Sequence, residues 1–240
     1  MYNYDEKFFQ YTNQISARSA DVIVPLLYRA LEPASVLDLG CGCGVWLARW
    51  SRSGVEEIVG IDGDYVRRED LAISPASFLS RDLAESVDLA RRFDLAQSLE
   101  VAEHLPESRA RSFVSDLCRH SDVVFFSAAP PGQGGENHIN EQPYEYWQRL
   151  FGEQGYEAYD FVRPRVLHRN EVTPWHRYNP VLYVREGKAL PHEILKTRIP
   201  RGNPVPDLSP PLYRARKAVV RQLPHWGTRA LANARKRLAR

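Results

Sequence analysis

Two carboxylates and an imidazole lie within five residues at Glu100, Glu103 and His104. If this segment forms a helical turn, the three side chains share one face of it. Two carboxylates held close together repel each other unless a proton or a cation lies between them. With the imidazole they form an oxygen and nitrogen donor set that suits a divalent ion, and His138 would add a fourth ligand from a later loop. The alternative is a metal-free pocket wall in which His104 or His138 acts as a base or only forms hydrogen bonds.

A second candidate site is a glycine-rich turn within residues 35–46, which read SVLDLGCGCGVW. A short apolar run ends at Asp38, and Gly40, Gly42 and Gly44 follow it before a helix-forming segment. This order predicts a strand, a tight turn and a helix N-terminus where the backbone approaches a ligand closely. Asp62 ends the next strand-like run, about 20 residues later, where a carboxylate holds a ribose diol in nucleotide-binding α/β folds. Because the turn lacks the GxGxxG pattern and a Walker lysine, it favours a ligand without phosphates.

The segment from Asp38 to Gly44 resembles the first motif, D-x-G-x-G-x-G, of the class I S-adenosylmethionine-dependent methyltransferases. The resemblance covers about residues 17–185. It implies that the glycine turn wraps the methionine end of S-adenosylmethionine, that Asp62 takes the ribose hydroxyls, and that Asp82 with the Leu83 backbone contacts the adenine edge. The cofactor-binding residues that it implies are Asp38, Gly40, Cys41, Gly42, Gly44, Asp62, Gly63, Asp82, Leu83 and Ser98.

The E-x-x-E-H segment resembles the corresponding segment of ubiquinone-type O-methyltransferases and of small-RNA 2′-O-methyltransferases. This resemblance implies a divalent ion, Mg²⁺ or another, held by Glu100, Glu103, His104 and His138. His138 matches only by its place in the loop after the next strand. We predict that His138 acts as the base or as a metal-held activator, with His104 as the second catalytic candidate.

Strand-like and helix-like segments alternate along the chain, which predicts an α/β fold with a doubly wound, mostly parallel sheet. By resemblance the sheet has seven strands, the last of them antiparallel. The predicted strands are residues 35–38, 57–62, 77–80, 93–99, 122–129, 156–162 and 180–185. The predicted helices are residues 5–31, 45–53, 85–92, 106–120 and 144–154.

Charge and proline content divide the chain of 240 residues into three parts. Residues 1–188 are predicted to form the methyltransferase domain, with residues 1–33 as a helical cap. Prolines crowd residues 189–211, which are predicted to be a linker or an extension that follows the surface. Residues 212–240 contain nine Lys or Arg and no acid, and are predicted to form two amphipathic helical pieces, 212–223 and 228–238. This tail would suit an anionic membrane face, RNA phosphates, or no partner at all.

The remaining composition is that of an ordinary globular protein, with 43% hydrophobic and 26% charged residues. The three cysteines favour a reducing compartment, since Cys41 and Cys43 flank Gly42 too closely for an easy disulfide. The acidic, aromatic N-terminus is unlike a secretory signal. We therefore expect a cytoplasmic protein whose tail could lie at the inner membrane face.

The combined expectation is an S-adenosylmethionine-dependent O-methyltransferase acting on a hydroxyl of a small molecule or saccharide. An RNA 2′-O-methyltransferase is the alternative enzyme, although the body is acidic and lacks an added RNA domain. A non-catalytic S-adenosylmethionine-binding protein is the alternative of a different class.

Overall fold

The computed structural model of this chain describes the backbone of residues 6–222 and the side chains of residues 13–222. Within this part of the chain the strands are β1 (Ser35–Leu39), β2 (Glu57–Asp62), β3 (Phe78–Ser80), β4 (Leu95–Leu99), β5 (Val123–Ser127), β6 (Tyr156–Tyr159) and β7 (Val181–Arg185). The α-helices are α1 (Glu6–Leu31), α2 (Val45–Ser53), α3 (Glu107–His120), α4 (Tyr144–Glu153), α5 (Arg163–Val166), α6 (Pro174–Tyr178), α7 (His192–Leu195) and α8 (Pro211–Val220).

The seven strands form one sheet in the order β3-β2-β1-β4-β5-β7-β6. All pairs are parallel except those of β7, which runs antiparallel to both β5 and β6. The predicted doubly wound, mostly parallel sheet with an antiparallel last strand is therefore confirmed. The strand order reverses between β1 and β4, and ligands bind at such a switch point in open α/β sheets.

Alternate residues of the central strands pack into two apolar layers, one on each face of the sheet. On one face α1 and α2 cover Val36, Leu95 and Phe125. On the other face α3 and α4 cover Leu37, Ala96, Val124 and Phe126. Because both faces are buried, β5 has no exposed residue, as expected for a central parallel strand.

The predicted helix over residues 85–92 is wrong, because this segment is irregular and lies against α3. The backbone N–H groups of Val87 and Leu89 donate to Asp116 Oδ2 (2.9 Å) and to His120 Nε2 (3.0 Å). Ala90 has a φ of 52°, which a helix does not accommodate. Hydrogen bonds to buried polar groups of α3 thus replace the local hydrogen bonds of a helix.

Residues 189–211 are packed against the sheet and do not form a free linker. Ile194, Ile199 and Val205 are buried, and the Ile199 N–H donates to the carbonyl of Ala158 in β6 (2.8 Å). The helix α8 overlaps the predicted piece 212–223 but begins one residue earlier and ends at Val220, whereas the predicted piece 228–238 lies outside the described residues. Among residues 6–222, no helix is both long enough and apolar enough to cross a bilayer.

Residues 163–178, which lie between the predicted strands 156–162 and 180–185, contain the two short helices α5 and α6. The strand before them, β6, ends at Tyr159 and not at residue 162. Arg163 is fully buried, with its guanidinium paired to Asp160 (2.8 Å) and donating to the Pro206 carbonyl (2.9 Å). This buried ion pair holds the loop and the C-terminal segment in one place above the sheet.

Candidate functional site

The predicted site residues follow the carboxyl ends of neighbouring strands. The glycine turn follows β1, Asp62 ends β2, Glu103 and His104 follow β4, and the loop with His138 follows β5. The strands β2, β1, β4 and β5 are adjacent in the sheet. The fold therefore brings the two groups of sequence-predicted residues to one edge of the sheet.

The three glycines of the turn share a positive φ but differ in what surrounds the position of a Cβ atom. Gly40, Gly42 and Gly44 all have positive φ, at 88°, 53° and 75°. An added Cβ would meet Val101 at 2.3 Å from Gly40 and Ile73 at 2.7 Å from Gly44, but would meet nothing within 4 Å at Gly42. Protein packing explains the first and third glycines, while Gly42 faces open space in which a ligand can approach the backbone.

The carboxylate of Asp62 ties the glycine turn to the end of β2. It accepts hydrogen bonds from the backbone N–H of Gly42 (2.6 Å), from that of Gly63 (2.7 Å) and from the Tyr65 hydroxyl. Burial raises the pKa of Asp62, and these three donors partly lower it again. The predicted cofactor residues Asp62, Gly42 and Gly63 are thus one hydrogen-bonded unit, and Tyr65 is a member that the sequence analysis missed.

Asp38 is buried at the base of the same turn. Its Oδ2 accepts from Gln97 Nε2 (2.7 Å), and Gln97 Oε1 accepts from Trp50 Nε1 (2.8 Å). Burial raises the pKa of Asp38 to about 7, the Gln97 hydrogen bond lowers it, and the nearby Asp62 raises it. A carboxyl with this pKa is half protonated near neutral pH, and a cation bound next to it would favour the charged form.

The other predicted cofactor residues occupy different environments. Cys41 is buried, and its thiol donates to the Gly42 carbonyl (3.4 Å). Asp82 is exposed and accepts from the Ala84 N–H (2.9 Å), while Leu83 beside it is buried. The Ser98 hydroxyl of β4 is buried without a hydrogen-bond partner. Contacts of Asp82, Leu83 and Ser98 with the cofactor stay predictions.

Glu103 is a fully buried carboxyl with unsatisfied oxygens. Neither Oε1 nor Oε2 has a partner that meets hydrogen-bond geometry. Burial and the neighbouring Glu100 raise the pKa of Glu103 well above its usual range, and backbone amides, including that of Ala129, lower it by less. A carboxyl in this state needs a proton or a cation, because an uncompensated buried charge is costly.

Two imidazoles lie beside Glu103. The rings of His104 and His138 are 4.9 Å apart between centroids and nearly perpendicular. Burial and the neighbouring His138 lower the pKa of His104 to about 3, against a raising effect of the Asn137 carbonyl. That carbonyl lies 3.2 Å from His104 Nδ1 and favours a neutral ring with its proton on Nδ1.

The ring of His138 is oriented by Glu141, whose Oε1 lies 2.8 Å from His138 Nδ1. Glu141 is itself held by the backbone N–H groups of Gly132 and Gly134, both at 2.8 Å. An added Cβ at Gly135 would lie 2.0 Å from His138 Nε2, so only glycine allows the ring this position. A carboxylate that orients one ring nitrogen leaves the other with its lone pair available.

Glu100 takes a different place from the one predicted. Glu103 and His104 belong to a 3₁₀ turn, but Glu100 precedes it with a φ of 58°, so the three side chains do not share one helical face. The Glu100 carboxylate accepts from Gln133 Nε2 (2.6 Å) and from Asn179 Nδ2 (3.0 Å). Of the four predicted ligands, only Glu103, His104 and His138 have ligand atoms within 4.8 Å of one another.

These three residues fit a divalent cation by their chemistry, since they offer one carboxyl group and two imidazoles with ligand atoms close together. The residues around them that the sequence analysis missed are Gln133, Glu141 and Asn179. Gln133 and Glu141 lie in the loop after β5 that carries His138, and Asn179 directly follows α6. Their polarity was visible in the sequence, but their partners depend on the tertiary fold.

Comparison with known proteins adds a family and several structural neighbours. The family model described as "Methyltransferase domain" matches residues 11–160. The comparison with curated proteins finds no significant match. Among solved structures, an O-methyltransferase family protein from Burkholderia thailandensis is similar, with 12% identity and a TM-score of 0.56. The match covers 74% of this chain and 58% of that protein, so this chain spans less than two thirds of its length.

Two sugar-modifying enzymes are similar over nearly their whole length. The sugar N-methyltransferase KedS8 from Streptoalloteichus sp. ATCC 53650 has 16% identity and a TM-score of 0.57, with 77% of this chain and 94% of that chain covered. CalS10, an amino pentose methyltransferase from Micromonospora echinaspora solved with S-adenosylmethionine bound, has 16% identity and a TM-score of 0.52, with 77% and 98% covered. At these identities the similarity shows a shared fold.

The open space at Gly42 leads to a first prediction. Gly42→Ala should weaken binding of S-adenosylhomocysteine about tenfold or more, because the new methyl group occupies the space for the ligand. The matched control is Gly187→Ala, since Gly187 also has a positive φ (82°) with nothing within 4 Å of an added Cβ. Both variants should lose about 1 kcal/mol of stability from the left-handed backbone, but only Gly42→Ala should lose binding in calorimetry. Equal affinities would contradict the placement of the ligand.

The raised pKa of Asp38 leads to a second prediction. The ammonium group at the amino acid end of the cofactor should favour the Asp38 carboxylate and lower its pKa below about 7, so binding should release a proton at pH values between that lowered pKa and about 7. Affinity for S-adenosylhomocysteine should therefore rise with pH up to about 7 and level off above it. Asp38→Asn should bind weakly and lose this dependence. A wild-type affinity that is constant between pH 6 and pH 8 would refute the coupling.

Proposed function

Because the chain belongs to the class I S-adenosylmethionine-dependent methyltransferases, we propose that it methylates a hydroxyl group of a saccharide or another small molecule. The observation that carries this proposal is the cluster of the buried Glu103 with the partly buried His104 and His138, at the sheet edge that also holds the glycine turn. A neutral amine is already a nucleophile, whereas an aliphatic hydroxyl must lose its proton as it reacts. A group of proton-accepting side chains therefore supports oxygen as the methyl acceptor.

The saccharide part of the proposal draws on the neighbours. KedS8 is described as a sugar N-methyltransferase and CalS10 as an amino pentose methyltransferase. The names of those two enzymes indicate that this fold accommodates sugar acceptors, and the cluster of Glu103, His104 and His138 in the present chain supports a hydroxyl of such an acceptor. We place the acceptor at the carboxyl end of β4 and β5, beside His138.

In the proposed reaction the acceptor oxygen attacks the sulfonium methyl carbon in line with the bond to sulfur. The new C–O bond forms as the C–S bond breaks, and its electron pair leaves with sulfur to give S-adenosylhomocysteine. His138 Nε2 takes the hydroxyl proton, and Glu141 at Nδ1 stabilises the resulting imidazolium. Positioning of the two reactants supplies much of the acceleration, and the base adds about 10²–10⁴-fold.

The same cluster would hold a divalent ion through Glu103, His104 and His138, which fit it by charge and by spacing. Such an ion, when bound, lowers the pKa of a hydroxyl and orients it. In that case His138 serves as a ligand, with Glu141 orienting its ring, and Glu103 gains the partner that it lacks among the described residues.

An RNA 2′-O-methyltransferase is the second candidate. The observation that favours it is the same donor set, E-x-x-E-H with a later histidine, beside a basic C-terminal segment. A ribose 2′-hydroxyl poses the same chemical problem as a sugar hydroxyl, so the reaction steps are unchanged. Salt-sensitive binding of a short RNA in a gel shift, followed by methylation of that RNA, would select this candidate.

The role of His138 is tested with labelled S-adenosylmethionine and a panel of saccharide, amino sugar and RNA acceptors. His138→Ala should lower the single-turnover rate with a hydroxyl acceptor by about 10²–10⁴-fold while leaving cofactor binding unchanged. The control is His192→Ala, which removes an exposed histidine of α7. Transfer to amino groups alone, or equal rates in both variants, would overturn the proposal.

The divalent ion is tested by titrating the protein with Mg²⁺ and with Mn²⁺ in a calorimeter. Wild type should bind one ion, and Glu103→Gln should weaken that binding about 100-fold because it removes the only anionic ligand of the cluster. Glu107→Gln is the matched control, since Glu107 is exposed at the start of α3. Failure of the wild type to bind either ion would leave the metal-free base as the mechanism.

A further inference from the structure

The helix α8 has an inner face that is fixed to the candidate site. The Arg216 guanidinium donates to the Gln133 carbonyl (3.1 Å), and Lys217 Nζ donates to Asp207 (2.6 Å). The rings of Tyr213 and Tyr178 lie 5.7 Å apart. The packing at Gly132 is so close that an added Cβ would lie 2.0 Å from the backbone carbonyl oxygen of α8 residue 217. This helix is therefore held against the same loop that carries His138.

The opposite side of α8 is exposed and amphipathic. Leu212 is 87% exposed and Val219 is 65% exposed. They lie seven residues apart with Ala215 between them, which places all three on one stripe of the helix. Arg214 and Arg221, the residue that ends the helix, are also seven residues apart and lie on a second exposed stripe, about 140° around the helix from the first; they have no acidic partner within residues 6–222. We call these two stripes the outer face of α8.

Core packing does not account for the outer face, because the inner face already fixes the helix. Exposed large apolar residues are few in the described part of the chain: they are Leu212, Val219, Ile139 and Leu195. Three of these four belong to α8 or to the loop against which it packs, since Ile139 directly follows His138. Leu212 and Val219, on one stripe of α8, therefore form an exposed apolar surface suited to an interaction.

The positive charge of the C-terminal segment indicates an anionic partner. No Asp or Glu occurs after Asp207, and residues 208–240 contain nine Lys or Arg. We propose that the outer face of α8, with the basic segment that continues from it, docks on an anionic lipid surface. The arginines would approach lipid phosphates while Leu212 and Val219 enter the boundary of the acyl chains. Nucleic acid would satisfy the arginines alone, because a phosphate backbone offers nothing apolar to cover the leucine and valine.

Docking in this orientation has a consequence for the acceptor, which rests on the proposed function. Because the inner face of α8 contacts residues 132 and 133 of the loop, a docked protein holds the mouth of the site close to the lipid surface. Ile139, which directly follows His138 in the chain, is also exposed. The acceptor class that fits is a hydroxyl-bearing amphiphile whose polar part reaches His138 while its apolar part stays in the lipid.

The docking is tested by sedimentation of the full-length protein with vesicles of phosphatidylcholine alone and with vesicles that also contain phosphatidylglycerol. The protein should bind only the anionic vesicles, and more weakly at high salt. The double variant Leu212→Asp and Val219→Asp should bind about tenfold more weakly, because it removes the apolar contacts and adds negative charge. Leu195→Asp is the matched control, since Leu195 is exposed on α7, outside this face.

Melting temperature and S-adenosylhomocysteine affinity, measured on each variant, separate docking from folding and from the proposed function. Both should equal those of the wild type, because the substituted side chains are exposed. The proposal is overturned if the wild type does not bind anionic vesicles, or if it binds a short RNA but no vesicles. It is also overturned if Leu195→Asp weakens vesicle binding as much as the double variant does. Loss of methyl transfer without loss of vesicle binding would count against the proposed function and leave the docking intact.

Discussion

Buried carboxyl groups at one edge of the sheet constrain everything built above them. Asp38 is satisfied by Gln97, Asp62 by the glycine turn and Tyr65, and Glu100 by Gln133 and Asn179. Each of these pairings fixes a loop, because a buried carboxyl without a partner is costly. Glu103 is the exception, since within the described part of the chain neither of its oxygens has a partner in hydrogen-bond geometry. The fold therefore leaves one carboxyl at the switch point for a proton, a cation or an acceptor group.

The hydrogen bonds of Glu100 also connect the loops after β4 and β5 to the C-terminal segment. Gln133 holds Glu100 with its side chain and accepts from Arg216 of α8 with its carbonyl. Asn179, which follows α6, donates to both Gln133 and Glu100. Gln133 of the loop with His138 is thus held by Glu100, which follows β4, by Asn179, which follows α6, and by Arg216 of α8. The C-terminal helix α8, which the sequence suggested to be part of a separate tail, therefore packs against the loop that carries His138.

Several features were predictable because local sequence specifies them. Alternate glycines after an apolar run define the turn at residues 40–44, and an uninterrupted apolar run defines β5. The alternation of strands and helices predicted the parallel sheet, whereas the hydrogen bond between Asp62 and the Gly42 N–H was found only in the structure. The helix over residues 85–92 failed for the opposite reason: its backbone bonds to Asp116 and His120, which are distant in sequence.

By itself, then, the sequence determined the fold class, the cofactor turn and the residue types available for proton or metal chemistry, since periodicity and glycine spacing are local properties. Only the tertiary structure decided which of those residues meet. It turned Glu100 away toward Asn179, joined Glu103 to His104 and His138, and paired His138 with Glu141. It also placed α8 against the site. Pairings of this kind depend on backbone conformation and on contacts between distant segments, which spacing along a chain does not encode.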